Sequence, residues 1–327
     1  MGYPDQVVQK ASLASASVLR PLSPARVLPF PGPDRSVAVI IATHGRPTVV
    51  AALVAALSRQ TLLPSHVFVI GADRADLAAL ADADGGVTVR LGRPGSSLQR
   101  NDALAIAGDR FAYVVFFDDD FVPSRFWLER MVAAFERHPD VDGLTGEVLL
   151  DGASTAGVPM ATARALVEAS DGAPAPAMTV STPVDYGANT GCNMAFRASA
   201  IRELRFDERL PAYAWLEDAD FRARVAPSRH FARVSTLRGV HLGHKLGRSR
   251  GLPLGYSQIA NAAYLAAKGT VPRRYLLRLA ARNLAGNFIH SFRPEPFVDR
   301  RGRLTGNLLA LFDLVRGRAA PERILSL

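Results

Sequence analysis

An apolar run leads directly into three aspartates in the stretch Ala112-Tyr113-Val114-Val115-Phe116-Phe117-Asp118-Asp119-Asp120. The run is short and rich in β-branched and aromatic residues, which predicts a buried strand. Three like charges at a strand end repel one another, and a divalent cation would offset that repulsion and recruit a phosphate group. The stretch therefore predicts a metal-dependent site for a phosphorylated ligand.

The aspartates also have a simpler interpretation. They could form a solvated turn whose charges favour the N-terminus of a helix after Pro123. We accept this interpretation for Asp119 taken alone. Because carboxylates with perturbed pKa values cluster at functional sites, Asp118 and Asp120 together favour metal and nucleotide binding.

Strands and helices alternate on both sides of this stretch. We predict strands at 37–42, 67–70 and 87–91 and helices at 47–57, 98–107 and 125–137, with a less regular segment at 152–183 and helices beyond Pro272. This alternation predicts an α/β fold with a mostly parallel sheet and helices on both faces. Ligands bind such sheets at the carboxyl ends of the strands, where Thr43, Asp73 and the three aspartates fall.

A second acidic cluster follows in Trp215-Leu216-Glu217-Asp218-Ala219-Asp220. These carboxylates could simply be the acidic first turn of a helix. Trp215 favours a catalytic interpretation, because an aromatic ring can stack on a sugar and raise the pKa of a neighbouring acid. The first cluster therefore suits a metal and the second a catalytic base.

Two histidines, His241 and His244, precede a loop rich in glycine and basic residues. A lone histidine is more often structural, but this pair stands just upstream of Lys245, Arg248 and Arg250. Cations between glycine hinges suit a lid that closes on phosphate. We therefore predict a metal ligand next to a mobile phosphate clamp.

Further contacts to a nucleotide ligand are expected at strand and helix ends. Asp73 could accept hydrogen bonds from a ribose or base, or lie on the surface beside Arg74. Arg100, with Asn101, could approach the pyrophosphate or the base. Asn189, Thr190 and Gly191 are expected to make small polar contacts to the same ligand.

Composition limits the class of protein. The chain has 327 residues, 48% of them hydrophobic, which is ample for a globular core, and its single cysteine excludes an internal disulfide. Residues 268–327 hold twelve Lys and Arg against four acidic residues, so they carry +8 of the net +9 charge. No stretch approaches the roughly 20 apolar residues of a membrane span, and the N-terminus lacks the apolar core of a signal peptide. We expect a cytoplasmic protein.

Five motifs together resemble glycosyltransferase family 2, over about residues 36–251. They are Ile41-Ala42-Thr43-His44-Gly45-Arg46-Pro47, Phe117-Asp118-Asp119-Asp120, Thr190-Gly191-Cys192-Asn193-Met194-Ala195-Phe196-Arg197, Glu217-Asp218-Ala219-Asp220-Phe221 and Val240-His241. The resemblance implies the GT-A fold, a nucleotide-sugar donor and inversion at the anomeric carbon. We therefore expect a GT-A domain at 36–251, preceded by a leader at 1–35 that is rich in proline and followed by a basic helical extension at 252–327.

The resemblance assigns roles to the site residues. Asp218 would be the general base and Glu217 would orient the acceptor or the base, with Trp215 contacting the acceptor. Asp118 would touch the ribose, and Asp120 would ligate Mn²⁺ or Mg²⁺. The remaining expected contacts are Thr43, Arg46, Asp73, Arg100, Asp119, Asn189 and Gly191 to the donor, Lys245, Arg248 and Arg250 to phosphate, and His241, or else His244, to the metal.

The expected function is transfer of a sugar from a UDP-sugar to a glycan or lipid-linked acceptor in surface polysaccharide assembly. In the C-terminal helices, Arg274, Arg278 and Arg282 recur at four-residue spacing, opposite an expected inner face of Leu277, Leu284 and Phe288. These helices could lie on an anionic membrane surface, or form a solvated or dimer-forming face.

Two rival functions share some of these features. A metal-dependent sugar nucleotidyltransferase would need a phosphate loop after the first strand, richer in Gly and basic residues than 43–47. A nucleic-acid-binding protein is suggested by net charge alone, and the C-terminal arginines have few aromatic neighbours for base stacking. We therefore expect no nucleic acid partner.

Overall fold

A computed structural model describes residues 34–80, 85–174, 176–181, 191–225, 230–245 and 251–327. Nearly all of the expected leader lies outside the described residues. The strands are β1 Val37–Thr43, β2 His66–Gly71, β3 Val87–Leu91, β4 Tyr113–Asp118, β5 Phe121–Pro123, β6 Val141–Asp151, β7 Val180–Ser181, β8 Asn193–Arg197 and β9 His230–His241. The α-helices are α1 Pro47–Leu57, α2 Ser96–Ala107, α3 Trp127–Arg137, α4 Met160–Gly172, α5 Ala198–Ile201, α6 Glu217–Val225, α7 Gly251–Lys268, α8 Arg273–Ser291 and α9 Arg300–Val315.

One mixed sheet organises the described chain. Its strand order is β3-β2-β1-β4-β8-β6-β9-β5, with β7 paired to β9. The first four strands in this order are parallel, whereas β8 runs antiparallel to both β4 and β6. The predicted α/β fold with a mostly parallel sheet is confirmed.

The register brings the predicted strand ends to one edge of the sheet. Thr43 on β1 pairs with Gly71 on β2, and Ala42 pairs with Asp118 on β4. The three aspartates therefore begin where β1 also ends. This edge is the carboxyl edge, as expected for ligand binding in such sheets.

The stretch that ends in the aspartates is apolar throughout because both faces of β4 are covered. Phe117 stacks on Phe121 and meets Trp127 edge-on on one face. Phe116 points to the other face and packs edge-on against Phe206 and Phe221. Successive strand side chains alternate between faces, so a strand buried on both sides has no polar position.

The prediction of a less regular segment at 152–183 is wrong in part, because α4 lies there. This helix buries only Ala163 and Val167. A surface helix is identified in a sequence by its amphipathic pattern, and two buried residues in 13 make that pattern weak.

The C-terminal helices pack against one another, and their closest crossing depends on glycine. A Cβ atom at Gly255 would overlap the carbonyl oxygen of Arg303, and one at Gly306 would overlap that of Leu252. The backbones of α7 and α9 therefore touch. No described helix is long and apolar enough to cross a membrane.

The expected inner face of α8 is wrong. Leu276 and Leu279 are buried, whereas Leu277 and Phe288 are exposed. Leucines occur at 276, 277 and 279, so the sequence pattern alone leaves the choice of inner face open, and packing against α7 and α9 decides it.

The close crossing of α7 and α9 can be tested by paired glycine substitutions. Gly306→Ala should lower the free energy of unfolding by about 1–3 kcal/mol, because the new methyl group overpacks the crossing. Gly286→Ala is the matched control, since a Cβ atom at this position in α8 would meet no other atom within 4 Å. This change should raise the free energy of unfolding by about 0.5–1 kcal/mol. Urea unfolding measures both, and a similar effect of the two changes would contradict the crossing.

Candidate active site

Asp119 lies below the edge of the sheet and holds the β1–α1 connection. It is 4% exposed. Its two carboxylate oxygens accept hydrogen bonds from Thr43 Oγ1 at 2.8 Å and Arg46 Nη1 at 2.6 Å. The interpretation of Asp119 as part of a solvated turn is therefore wrong, since its charge is buried and paired within the site.

Asp120 is also buried, and several donors surround it. Arg46 Nη1 lies 3.2 Å from Oδ2, and His241 Nε2 lies 3.3 Å from Oδ1. The backbone N–H of His244 donates to Oδ2 at 2.7 Å. Burial alone would raise the pKa of Asp120, but the bonds and charges of His241 and Arg46 outweigh burial and lower it. Asp120 is therefore a carboxylate at neutral pH.

Asp151 fixes the orientation of His241 and was not predicted. Its Oδ1 lies 2.7 Å from His241 Nδ1, which turns Nε2 toward Asp120. Burial lowers the pKa of His241, but its bonds to Asp120 and Asp151 outweigh burial and raise it to about 10. Only the pairing of β6 with β9 brings Asp151 beside His241, so no local signal in the sequence could have identified it.

A metal ion would find suitable ligands here. Ligand atoms of Asp118, Asp120 and His241 lie within 4.8 Å of one another. Two carboxylates and one imidazole are a donor set that a divalent cation such as Mn²⁺ accepts. His244 contributes its backbone N–H to Asp120, so the described geometry places His241 rather than His244 in this group.

Asp73 lies in a second group of possible ligands, with His44 and Asp76. The Asp76 carboxylate accepts the backbone N–H groups of Gly45, Ala72 and Asp73, and Asp73 in turn accepts that of Ala75. These bonds organise the loop after β2. Asp73 itself is exposed beside this loop.

Arg100 joins the two acidic clusters, which the sequence presented separately. It is 2% exposed on α2. Its Nη2 donates to Asp118 Oδ1 at 2.8 Å, and its Nη1 donates to Glu217 Oε1. Burial raises the pKa of Glu217 to about 8, although Arg100 opposes that rise. The neighbouring Asn101 binds the backbone of Phe206, which is a structural contact.

The segment before α6 has an unusual backbone. Ala212, Ala214 and Leu216 have φ values of 56°, 52° and 75°. Residues other than glycine rarely adopt this left-handed region, and surrounding contacts must hold them there. Ala212 O accepts the N–H of Ser96, and Trp215 O accepts Asn261 Nδ2 from α7 at 2.9 Å.

Asp218 lies in the first turn of α6, half-buried. A Cβ atom at Gly191 would come within 3.0 Å of its Oδ2, so the glycine leaves room for this carboxylate. Trp215 is half-buried too, and its ring lies 6.5 Å from that of Tyr213 in a stacked arrangement. The predicted base and acceptor residue thus lie on one short segment with Glu217.

The predicted phosphate clamp is only partly described. Lys245 Nζ donates to the carbonyl oxygens of Gly152 and Ala153, each at 3.0 Å. Arg248, Arg250 and Asn189 lie outside the described residues, as does Thr190. The contact of Lys245 ties the start of the expected lid to the end of β6.

A family model described as glycosyltransferase like family 2 matches residues 33–228, more than half of the chain. The chain belongs to this family. It is therefore a glycosyltransferase, as the motifs predicted. The match gives no support to the nucleotidyltransferase or nucleic-acid-binding alternatives. No curated protein matches the glycosyltransferase by sequence.

Solved structures show the same fold at low identity. S. aureus TarS 1-349 is 16% identical, with a TM-score of 0.53 over 88% of this chain and 82% of that chain. The structure of TarS 1-349 in complex with UDP-GlcNAc is also 16% identical, with a TM-score of 0.51 over 88% of this chain and 82% of that chain. The present chain spans only 44% of the length of a longer TarS structure. The glycosyltransferase thus has the GT-A fold.

The bridge made by Arg100 can be tested by stability. Arg100→Met should lower the free energy of unfolding by about 3–5 kcal/mol, because the buried carboxyl group of Glu217 loses its partner and the half-buried Asp118 loses its ion pair. The control is Arg93→Met, since Arg93 also pairs with two carboxylates, Asp102 and Glu208, but is half exposed. That change should cost about 1 kcal/mol or less. Equal losses in urea unfolding would contradict a buried bridge.

The raised pKa of His241 predicts a pH-dependent contribution to stability. The folded state binds the imidazole proton more tightly than the unfolded state, so the contribution is complete below pH 6.5 and lost as pH rises toward 10. In EDTA, the difference in free energy of unfolding between wild type and His241→Gln should shrink across this range. A difference that stays constant with pH would contradict the assignment. In an Asp151→Asn background, the pH-dependent part of this difference in free energy of unfolding should be smaller.

Proposed function

We propose that this glycosyltransferase moves a sugar from a UDP-sugar to a hydroxyl group of a glycan or lipid-linked acceptor, with inversion. The observation that carries the proposal is the bridge of Arg100 between Asp118 and Glu217, because it sets the metal cluster beside the predicted base. A donor diphosphate at the cluster would then present its sugar to an acceptor activated at Asp218. We place this reaction in surface polysaccharide assembly on the cytoplasmic side.

The donor half of the site would use the carboxyl edge of the sheet. Asp120 and His241 would hold Mn²⁺ or Mg²⁺, with His241 releasing a ring proton when the ion binds. Asp118 would bind the ribose or complete the ligand set. Imidazole among the ligands favours Mn²⁺, since Mg²⁺ prefers oxygen ligands. When bound, the cation would neutralise the departing nucleoside diphosphate.

An excess of negative charge among the described residues supports a bound cation. The carboxylates are Asp118, Asp119, Asp120, Asp151, Glu217 and Asp218, and the cations paired with them are Arg46, Arg100 and His241. With Glu217 protonated and the pKa of Asp119 raised to about 7 by burial, the remaining carboxylates still outnumber these cations. A divalent ion would offset this excess and could also bind a diphosphate.

The acceptor half would depend on two neighbouring acids, Glu217 and Asp218, that differ in burial. Glu217, with its pKa raised to about 8, is largely protonated at neutral pH and held by Arg100. A protonated acid cannot accept the proton of an attacking hydroxyl. The half-buried Asp218 would therefore be the base, Glu217 would position it, and Trp215 would contact the acceptor.

Nucleotide-dependent changes in melting temperature test the donor half. TarS is known with UDP-GlcNAc, so UDP and UDP-GlcNAc are tested first, beside GDP and dTDP compounds. One nucleotide should raise the melting temperature only with Mn²⁺, because a ligand at about 100 times its Kd stabilises the native state by about 2.7 kcal/mol. Asp120→Ala should abolish the rise, and Asp109→Ala, an exposed aspartate away from the site, should keep it.

The acceptor half is tested on the same protein once the nucleotide is known. Asp218→Asn should keep the nucleotide-dependent rise but release nucleoside diphosphate from the donor about 100-fold or more slowly. A rise without metal, or none with any nucleotide, would contradict the donor site. Undiminished turnover in Asp218→Asn would contradict only the base.

A further inference from the structure

Exposed apolar side chains are concentrated on two neighbouring helices. Among the described residues, sixteen large apolar side chains are exposed, and nine of these belong to α8, α9 or the residue after α8. Soluble surfaces carry such side chains singly, and their concentration in one place marks an interaction surface. These two helices make up about a tenth of the chain, so the concentration is not a general property of its surface.

On α8 the exposed apolar residues follow one face. Leu277, Phe288 and Phe292 stand eleven and four residues apart, which are whole numbers of helical turns. Their exposed fractions are 69%, 54% and 70%. The rings of Phe288 and Phe292 meet edge-on at 5.4 Å, with Ile289 exposed beside them.

A second row runs along α9, through Leu308, Phe312 and Val315, all at least half exposed. The two helices lie antiparallel, because Asn287 donates to Asn307 at 2.8 Å and Arg301 donates to the carbonyl oxygen of Ser291. The two exposed rows therefore lie on adjacent helices, and we call the exposed surface of these two helices together the α8–α9 face.

This face carries positive charge without exposed negative charge to balance it. Arg274, Arg278 and Arg282 follow α8, and Arg301 and Arg316 belong to α9; all are exposed. Among the described residues, no carboxylate forms an ion pair with these five arginines.

The four acidic residues of 268–327 are occupied elsewhere. Glu295 pairs with Arg300, Glu322 pairs with Arg209, and Asp313 is buried against Tyr256 and Arg323. Asp299 caps α9 by accepting the N–H of Gly302. The charge of the α8–α9 face is therefore available to an external partner.

We propose that the α8–α9 face docks on a membrane surface that contains anionic phospholipids. Phe288, Ile289 and Phe292 would enter the boundary between headgroups and acyl chains, and the arginines would contact the lipid phosphates. Each arginine near such a surface strengthens binding by roughly fivefold. The two components, apolar and basic, match the two layers of a bilayer surface.

Other occupants fit the α8–α9 face less well. A second copy bound about a two-fold axis would bring two positively charged faces together, because both copies use the same surface in such an interface. A nucleic acid would neutralise the arginines but would leave the phenylalanines in water. Lipid satisfies both kinds of side chain.

The proposal is tested by flotation of the full chain with vesicles, without nucleotide or acceptor. The protein should float with vesicles of phosphatidylcholine and phosphatidylglycerol, and not with phosphatidylcholine alone. Since no donor is present, failure of the proposed sugar transfer would leave this result unaffected.

Matched variants separate the two components. Phe288→Ser with Phe292→Ser should weaken binding tenfold or more, while Leu63→Ser with Leu91→Ser, equally exposed elsewhere, should not change it. Replacing Arg274, Arg278 and Arg282 by Gln should weaken binding by about 100-fold. The control with the same loss of charge replaces three exposed arginines elsewhere, Arg59, Arg90 and Arg137, by Gln, and it should weaken binding much less.

Three results would overturn the proposal. They are absence of flotation, equal flotation with neutral vesicles, and loss of binding that is the same in the test and control variants. Self-association without lipid, abolished by Phe288→Ser with Phe292→Ser, would instead assign the face to a second copy. Unchanged melting curves of the variants show that each remains folded.

Discussion

The contact of Arg100 with Asp118 and Glu217 is the interaction on which the rest of the site depends. One carboxyl group ends the central strand β4, and the other begins α6, so a single guanidinium fixes the sheet against the helix that carries the predicted base. Leaving this guanidinium unpaired would be costly, because Arg100 is only 2% exposed. The hydrophobic packing of Phe116 on Phe206 and Phe221 holds the same two elements together from below.

The three aspartates illustrate how a protein can keep like charges together in a buried place. Their partners are Arg100 for Asp118, Thr43 and Arg46 for Asp119, and His241 together with Arg46 for Asp120. Their repulsion is thus offset in part by the protein itself. The protein thus supplies partners for each of these charges, and charge held in a fixed position is what favours transfer chemistry.

Much of the fold and of the candidate site could be predicted, because the signals for them lie in short segments of the sequence. The parallel strands and the Asp118–Asp120 and Glu217–Asp218 motifs each lie in one short segment. What could not be predicted arises from pairing between distant segments. Asp151 meets His241 only through the register of β6 with β9, and Arg100 reaches Glu217 across 117 residues. The exposed face of α8 was misassigned for a similar reason, since helix packing selects among adjacent leucines.

The left-handed residues Ala212, Ala214 and Leu216 link the predicted base to a distant helix. Such a backbone is unfavourable by itself, and Asn261 on α7 helps to hold it by donating to Trp215. The turn before Glu217 therefore depends on the docking of α7, although α7 comes later in the chain. A substitution in α7 can in this way disturb the surroundings of Asp218 without touching any of the predicted site residues.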